Sequence, residues 1–117
     1  MKHAHIAIIG AGVSGLAAAR ALPPESYTLF DKSKGPGGRL ASKRINGSRA
    51  DIGAQFFTIR DKRFETVVAE AISAGAVSQW QPRMGKIVNG NVCSSPDTNK
   101  RYIGTPYMNM FSHYLAK

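Results

Sequence analysis

The stretch HIAIIGAGVSGLAAARAL occupies residues 5–22. It carries the pattern G-x-G-x-x-G, whose glycines are Gly10, Gly12 and Gly15. The apolar run at residues 6–9 is typical of a strand buried on both faces of a sheet. The Ala- and Leu-rich segment after the glycines predicts a helix over residues 13–22, which two prolines then stop. The stretch therefore predicts a strand, a tight turn and a helix.

A second short apolar run, YTLF at residues 27–30, ends at Asp31. A β-α-β unit whose turn carries these glycines, with an acidic residue about 20 residues further on, is the pattern of a dinucleotide-binding fold. The helix N-terminus would attract the pyrophosphate, and the Asp31 carboxylate would accept hydrogen bonds from ribose hydroxyls. NAD and FAD both satisfy this pattern, and a β-α-β unit that binds no ligand is the alternative.

The next part of the chain predicts a loop and a second helix. Residues 31–47 are rich in Gly, Pro, Ser and basic side chains, which predicts a loop with short helical turns after Gly38. Asp61 is a plausible N-cap for a helix that Gly75 ends. One face of that helix is apolar, through Phe64, Val67, Val68, Ala71 and Ile72.

The last part of the chain reads as short strands followed by a helix. Turns are predicted at Gly85, at Asn89-Gly90 and at Pro96-Asp97, which favours an antiparallel meander. The final helix is predicted over residues 106–116.

Composition points to one soluble globular domain. The chain has 117 residues, of which 43% are hydrophobic and 20% charged. Its single cysteine cannot form an intramolecular disulfide, and no apolar run approaches the ~20 residues that span a bilayer. A short signal peptide is an alternative interpretation of the N-terminus, but the glycines fit a strand-turn-helix better. A cytoplasmic location without membrane contact is therefore the expectation.

The net charge is +9, from 16 Lys and Arg against 7 Asp and Glu. Residues 32–49 hold six of the basic side chains and no acid. Such charge favours an anionic partner. A nucleic acid is not expected, because the basic residues lie in a Gly-rich loop without stacking aromatic residues.

Two further motifs carry a resemblance to a known family. Asp31 is followed by Gly37-Gly38-Arg39, and ADIGAQFFT occupies residues 50–58. The sequence resembles the flavin-containing amine oxidase superfamily, and within it the renalase-like NAD(P)/FAD-dependent oxidoreductases. The resemblance covers nearly all of this chain but only the N-terminal part of such proteins.

The resemblance implies an α/β fold, with a Rossmann-like FAD-binding β-α-β domain and the start of an antiparallel substrate-domain sheet. The FAD-binding part would be residues 1–77, and residues 78–117 would begin the substrate domain. It also implies a set of FAD-binding residues, namely Gly10, Gly12, Ser14 and Gly15 at the pyrophosphate, Asp31 at the adenosine ribose, Gly38 and Arg39 at the phosphates or ribityl chain, and Gly53, Ala54, Gln55 and Phe56 along the isoalloxazine. Val13 and Lys32 are expected to bind the cofactor as well.

The activity that the resemblance implies is hydride transfer from a substrate to flavin N5, with O₂ reoxidation giving hydrogen peroxide. The substrates would be small molecules of the dihydronicotinamide dinucleotide kind, and amine oxidation is the alternative. No catalytic residue is predicted. The chain is expected to be a fragment that needs the rest of its polypeptide or an oligomeric partner, and a remnant that binds no FAD alone is a further alternative.

The remaining conspicuous side chains have simpler interpretations. The histidines show no metal-ligand spacing, so no metal site is predicted. Cys93 lacks a pairing base and is interpreted as structural. Lys43 and Arg44 are expected at the surface, and Trp80, Tyr102 and Tyr107 are expected to serve packing rather than substrate binding.

Overall fold

A computed structural model describes residues 5–95 and 97–117. The strands in it are β1 (Ile6–Ile9), β2 (Tyr27–Phe30), β3 (Ser42–Ile45), β4 (Ser48–Asp51), β5 (Val77–Trp80), β6 (Gly85–Val88), β7 (Asn91–Ser94) and β8 (Arg101–Gly104). The helices are α1 (Val13–Arg20), α2 (Lys62–Ser73) and α3 (Asn109–Leu115), with a 3₁₀ turn at Gly38–Leu40.

The β-α-β unit is confirmed. β1 and β2 pair in parallel, with Ile6 opposite Tyr27 and Ile9 opposite Phe30. Helix α1 connects them and buries Leu16 and Ala19. The prediction that residues 6–9 are buried on both faces is wrong, because the side chain of Ile9 is 80% exposed. Within residues 5–95 and 97–117 this sheet contains β1 and β2 alone. The apolar residues Ile9 and Phe30 on it remain exposed.

The predicted loop at residues 31–47 is wrong in its second half. β3 and β4 form an antiparallel hairpin, with Lys43 opposite Ala50. Asn46 and Gly47 make its turn with φ of 48° and 82°, the left-handed pair that Asn-Gly favours in two-residue hairpins. The flanking strands are basic rather than alternately apolar, so the Asn-Gly turn was the one available indication of a hairpin.

The antiparallel strands after residue 77 are confirmed, but their order is not that of a meander. β6 pairs with β7, whereas β5 pairs with β8. The predicted turn at Asn89-Gly90 is confirmed, with φ of 50° and 78°. Gly85 is not a turn residue, since it lies in β6 opposite Ser94. The predicted turn at Pro96-Asp97 falls partly outside the described residues, because Pro96 is not among them.

Helix α2 begins and ends at its predicted capping residues. Asp61 caps α2 and accepts a hydrogen bond from Arg63 N at 2.8 Å. Gly75 follows the end of α2 with φ of +76°. The last helix begins at Asn109, later than predicted, after a cis Thr105–Pro106 peptide bond.

The core lies between the three helices, the 3₁₀ turn and β5. Its largest fully buried side chains are Phe111, Met108, Val68 and Ser112. Phe57 stacks on Phe111 with ring centroids 5.2 Å apart. Because α3 packs on residues that precede residue 77, one core joins both predicted parts of the chain; the division at residue 77 stays a prediction. In the described ranges, no helix has the length and apolar character needed to cross a membrane.

Candidate dinucleotide site

The first glycine turn brings β1 and α1 into close contact. Gly10 has φ of +104°, a conformation that favours glycine, and its N–H donates to Phe30 O at 2.7 Å. A Cβ atom on Gly15 would overlap Gly10 O. Gly10 thus permits the turn and Gly15 permits the helix to approach it, as the sequence predicts.

The N-terminus of α1 is left open toward this turn. Gly12 is the N-cap and offers no side-chain cap, and the first turn of the helix carries no acidic residue. The first intrahelical bond in the described chain runs from Leu16 N to Gly12 O at 3.0 Å. The N–H groups of Val13, Ser14 and Gly15 therefore need acceptors from outside the helix, and an anion can supply them.

A second glycine pair lies against the first turn. Gly37 N donates to Ala11 O at 3.0 Å. Gly38 has φ of +55°, and a Cβ atom there would lie 3.1 Å from Gly12 Cα. Two glycine-rich main-chain segments thus face each other across a narrow gap, which larger side chains would fill.

These segments enclose what we call the glycine cavity, about 370 Å³ in volume and lined by Ile9, Gly10, Gly12, Val13, Ser14, Gly15, Gly37, Gly38, Arg39 and Leu40. Of the described residues that line it, Arg39 alone carries a formal charge. Main-chain N–H groups, a helix N-terminus and one guanidinium together make a site suited to a diphosphate.

Asp31 adjoins the glycine cavity rather than lining it. Its Oδ2 accepts from Ala11 N and its Oδ1 from Ser33 N, both at 2.7 Å. The Ala11 hydrogen bond, followed by that of Ser33, lowers the pKa of the Asp31 carboxyl. The carboxylate stays ionised, and each oxygen keeps lone pairs that ribose hydroxyls could use. Asp31 lines a neighbouring cavity of about 610 Å³, next to β2 and α1.

The segment at residues 53–56 is held beside Arg39 but does not line the glycine cavity. Ala54 N donates to Arg39 O at 2.8 Å, and a Cβ atom on Gly53 would overlap the same oxygen. Gln55 Nε2 makes weak local contacts with Asp51 O and Gly53 O, at 3.5 and 3.3 Å. The glycine at position 53 therefore lets this irregular segment pack directly on the main chain of Arg39.

Aromatic and cationic side chains pack against the segment at residues 53–56. The Phe56 ring lies 5.9 Å from the Trp80 ring, and the guanidinium carbon of Arg101 lies 4.8 Å from the centroid of Phe56. Arg101 also forms an ion pair with Asp97, and its buried Nε has no hydrogen-bond partner among the described residues.

The sequence did not indicate Arg101, because no local pattern marks it. Its contact with Phe56 depends on β8 lying beside residues 56–57. Ala11 was missed too, although its place inside the glycine motif could have indicated its main-chain role.

The other predicted residues lie apart from the glycine cavity. Lys32 lines a different cavity, together with Arg44. Lys43 is exposed and does not line the glycine cavity. Cys93 is a free thiol. In the part of the chain that the structure describes, no group of three or more His, Cys, Asp or Glu side chains could hold a metal ion.

Comparison with known proteins agrees with this geometry. Residues 8–71 match the family of NAD(P)-binding Rossmann-like domains. The chain is 41% identical over 54 residues to a 1-hydroxycarotenoid 3,4-desaturase of Flavobacterium sp. (44% of this chain, 11% of the relative). It is 36% identical over 75 residues to a 4,4'-diapophytoene desaturase of Staphylococcus haemolyticus (54% and 15%) and 42% identical over 57 residues to a neurosporene-forming phytoene desaturase of Rhodobacter capsulatus (47% and 11%).

The chain belongs to the family of NAD(P)-binding Rossmann-like domains, since the match covers more than half of its residues. The matched region contains both glycine segments, Asp31 and residues 53–56. The chain spans only 11–15% of the length of these three relatives.

Proposed function

We propose that this chain supplies the dinucleotide-binding part of an FAD-dependent oxidoreductase. One observation carries the proposal: the open N-terminus of α1, the Gly37-Gly38 pair and Arg39 surround one cavity, and Asp31 stands beside it. FAD, when bound, would accept a hydride from the substrate at flavin N5 and be reoxidised by O₂ to give hydrogen peroxide.

The residues of this chain would bind and orient the cofactor. The N–H groups of Val13 and Ser14 would donate to the pyrophosphate, and the Arg39 guanidinium would neutralise its charge. Asp31 would accept from the adenosine ribose. Residues 53–56, fixed on Arg39 O, would lie along the flavin ring, where Gly53 and Ala54 leave room for a flat molecule and Gln55 offers a polar group.

The six basic residues between positions 32 and 49 favour an anionic substrate, so we propose renalase-like oxidation of dihydronicotinamide dinucleotide isomers. Positive potential around residues 32–49 would repel an ammonium group, which disfavours the amine oxidase alternative. Carbon–carbon desaturation is a second candidate, because the relatives named above are desaturases. Both reactions withdraw two electrons from the substrate, and both are compatible with the same cofactor half-site.

A binding experiment on the 117-residue chain tests the half-site. ADP carries the adenosine and diphosphate groups shared by FAD and NAD, so its addition should shift the amide NMR signals of Gly12–Ser14 and Gly38. We expect FAD itself to be held poorly by this chain, because the described residues offer one side of a ring site. No ADP-induced shift at these amides would refute the proposed site, and retention of FAD with micromolar or tighter affinity would refute the one-sided site.

A matched pair of substitutions then identifies the diphosphate ligand. Arg39 lines the glycine cavity and Lys43 does not. Arg39→Ala should weaken ADP binding about tenfold or more, whereas Lys43→Ala should weaken it less than about threefold. Equal losses would mean that the basic residues at positions 32–49 attract ADP only through a diffuse positive potential. In the whole protein, the visible absorption of a bound flavin distinguishes FAD from NAD.

A further inference from the structure

The strongest charge cluster outside the glycine cavity lines a second cavity, about 660 Å³ in volume, which shares Gly37 and Gly38 with the glycine cavity. We call it the basic cavity. Four separate segments bring cationic or titratable side chains to it: the loop after β2, β3, β4 and α3. These side chains are Lys32, Lys34, Arg44, Arg49 and His113.

Of the described residues that line the basic cavity, none is a carboxylate. Asp31 and Asp51 do not line the cavity and accept hydrogen bonds from neutral groups. Asp51 Oδ1 accepts from Ser42 Oγ at 2.7 Å and from Met108 N at 3.0 Å. Asp31 accepts from two main-chain N–H groups, as described above. The positive charge of the cavity is therefore not neutralised by a carboxylate inside it.

The hairpin adds an independent observation. Arg44 and Arg49 stand directly opposite each other in the β3–β4 register. Like charges at such positions destabilise a sheet. Arg49 gains a contact with the Tyr107 ring, 5.3 Å from its guanidinium carbon, but no ion pair involving Arg44 or Arg49 is present among residues 5–95 and 97–117. An anion bound between the two guanidinium groups would remove this repulsion.

The wall of the cavity also holds an unsatisfied polar group. Asn109 lines it and is only 8% exposed. Its Oδ1 is buried and has no hydrogen-bond partner in the described chain. An acceptor of this kind requires a donor, which a hydroxyl group can provide and a fully ionised phosphate cannot.

We propose that the basic cavity is a second ligand site, which binds an organic phosphate that also carries a hydroxyl group, as in a sugar phosphate. Arg44, Arg49 and the loop lysines would bind the phosphate, and Asn109, with its side-chain amide turned toward the cavity, would accept from the hydroxyl. The site shares Gly37 and Gly38 with the glycine cavity but does not depend on the proposed cofactor.

Ribose 5-phosphate is a suitable probe, with inorganic sulfate, which carries no hydroxyl at neutral pH, as the comparison. In an NMR titration of the chain, ribose 5-phosphate should shift the amides of Arg44, Arg49, Asn109 and His113. It should bind more tightly than sulfate, because only ribose 5-phosphate offers a hydroxyl to Asn109. Equal affinity for the two probes would refute the hydroxyl contact, and shifts confined to Gly12–Ser14 would refute the site.

Arg44→Gln is the decisive variant, because it leaves the contact of Arg49 with Tyr107 intact. It should weaken ribose 5-phosphate binding about fivefold or more, a value discounted for solvent screening. The matched control is Arg83→Gln, since Arg83 is exposed and lines a cavity beside β6 and β7 instead. An equal effect of both variants would refute the site in favour of general charge attraction.

A second readout separates this role from a structural one. Without ligand, Arg44→Gln should leave the melting temperature unchanged or raise it, because it removes a like-charge pair. Ribose 5-phosphate should then stabilise the parent chain more than the variant. A lowered melting temperature in Arg44→Gln with unchanged binding would overturn the proposal. ADP binding at Gly12–Ser14 remains a separate measurement, so the two sites can fail independently.

Discussion

Replacing Gly15 by alanine sets two known effects against each other. Gly15 lies in α1, where alanine is normally the better residue by about 1 kcal/mol. The structure opposes this gain, because a Cβ atom on Gly15 would overlap Gly10 O and lie 3.4 Å from a methyl group of Ile8. Gly10 cannot easily withdraw, since its N–H is bonded to Phe30 O at 2.7 Å.

The expected loss in the free energy of unfolding follows from these two effects. Overpacking against a fixed neighbour costs about 1–3 kcal/mol, and a main-chain oxygen in a hydrogen-bonded turn belongs at the upper end of that range. Subtracting the helix-propensity gain of about 1 kcal/mol leaves a net loss of about 2 kcal/mol. For a domain of this size that corresponds to a melting temperature lower by roughly 8 °C.

Urea denaturation of the parent chain and of Gly15→Ala measures this loss. Gly12→Ala is the matched control, because a Cβ atom there meets only Gly38 Cα at 3.9 Å, an ordinary contact. We expect Gly12→Ala to lose less than about 1 kcal/mol, the usual range for an N-cap change from glycine, yet to weaken ADP binding by narrowing the glycine cavity. If Gly15→Ala proves as stable as the parent, the close approach of α1 to the β1 turn is wrong.

Three further predictions concern the core, the ribose site and acid stability. Phe111→Ala should lower the free energy of unfolding by about 3–5 kcal/mol, measured by urea denaturation, because this 1% exposed ring stacks on Phe57. Asp31→Ala should weaken ADP binding about tenfold in fluorescence or calorimetric titration, and an unchanged affinity would contradict its ribose role. The side-chain hydrogen bond from Arg63, then that of its main-chain N–H, lowers the pKa of Asp61 to about 2. Because the folded-state pKa is lowered, the stability that Asp61 contributes should be present above about pH 4 and lost as the pH falls through about 2. Asp61→Asn, which keeps a capping side chain, should flatten this acid dependence in denaturation curves recorded at several pH values.

Local sequence predicted the elements that local interactions define. The strand at Ile6–Ile9, the strand at Tyr27–Phe30 and the capped helix from Asp61 all depend on residues within a few positions of one another. The pairing of β5 with β8 could not be read in this way, because the hairpin β6–β7 lies between them in the chain. The burial of β1 was overestimated for a related reason, since burial depends on neighbours that a strand's own sequence does not describe.

The same limit applies to the candidate site. Its main-chain half was predictable, because glycine spacing encodes the conformation of Gly10 and the approach of Gly15 directly. The contact of Gly38 with Gly12 joins two segments that are distant in the chain, and only the resemblance indicated it. The basic cavity was not predictable, because its cations come from separate segments and Asn109 belongs to α3.

The segment at residues 53–57 links the two parts of the chain. On one side Ala54 N is bonded to Arg39 O at 2.8 Å, which fixes the segment to the second glycine pair. On the other side Phe57 and Tyr102 exchange two main-chain hydrogen bonds, each 2.9 Å long, which fix it to β8. The Arg101 guanidinium, next along β8, covers the Phe56 ring. Loss of β8 pairing should therefore disturb residues 53–57 while leaving the β1–α1 turn intact, because the turn is held by β2 instead. The structure thus makes the proposed flavin-ring segment dependent on the antiparallel part of the fold, whereas the β1–α1 turn is held by β2.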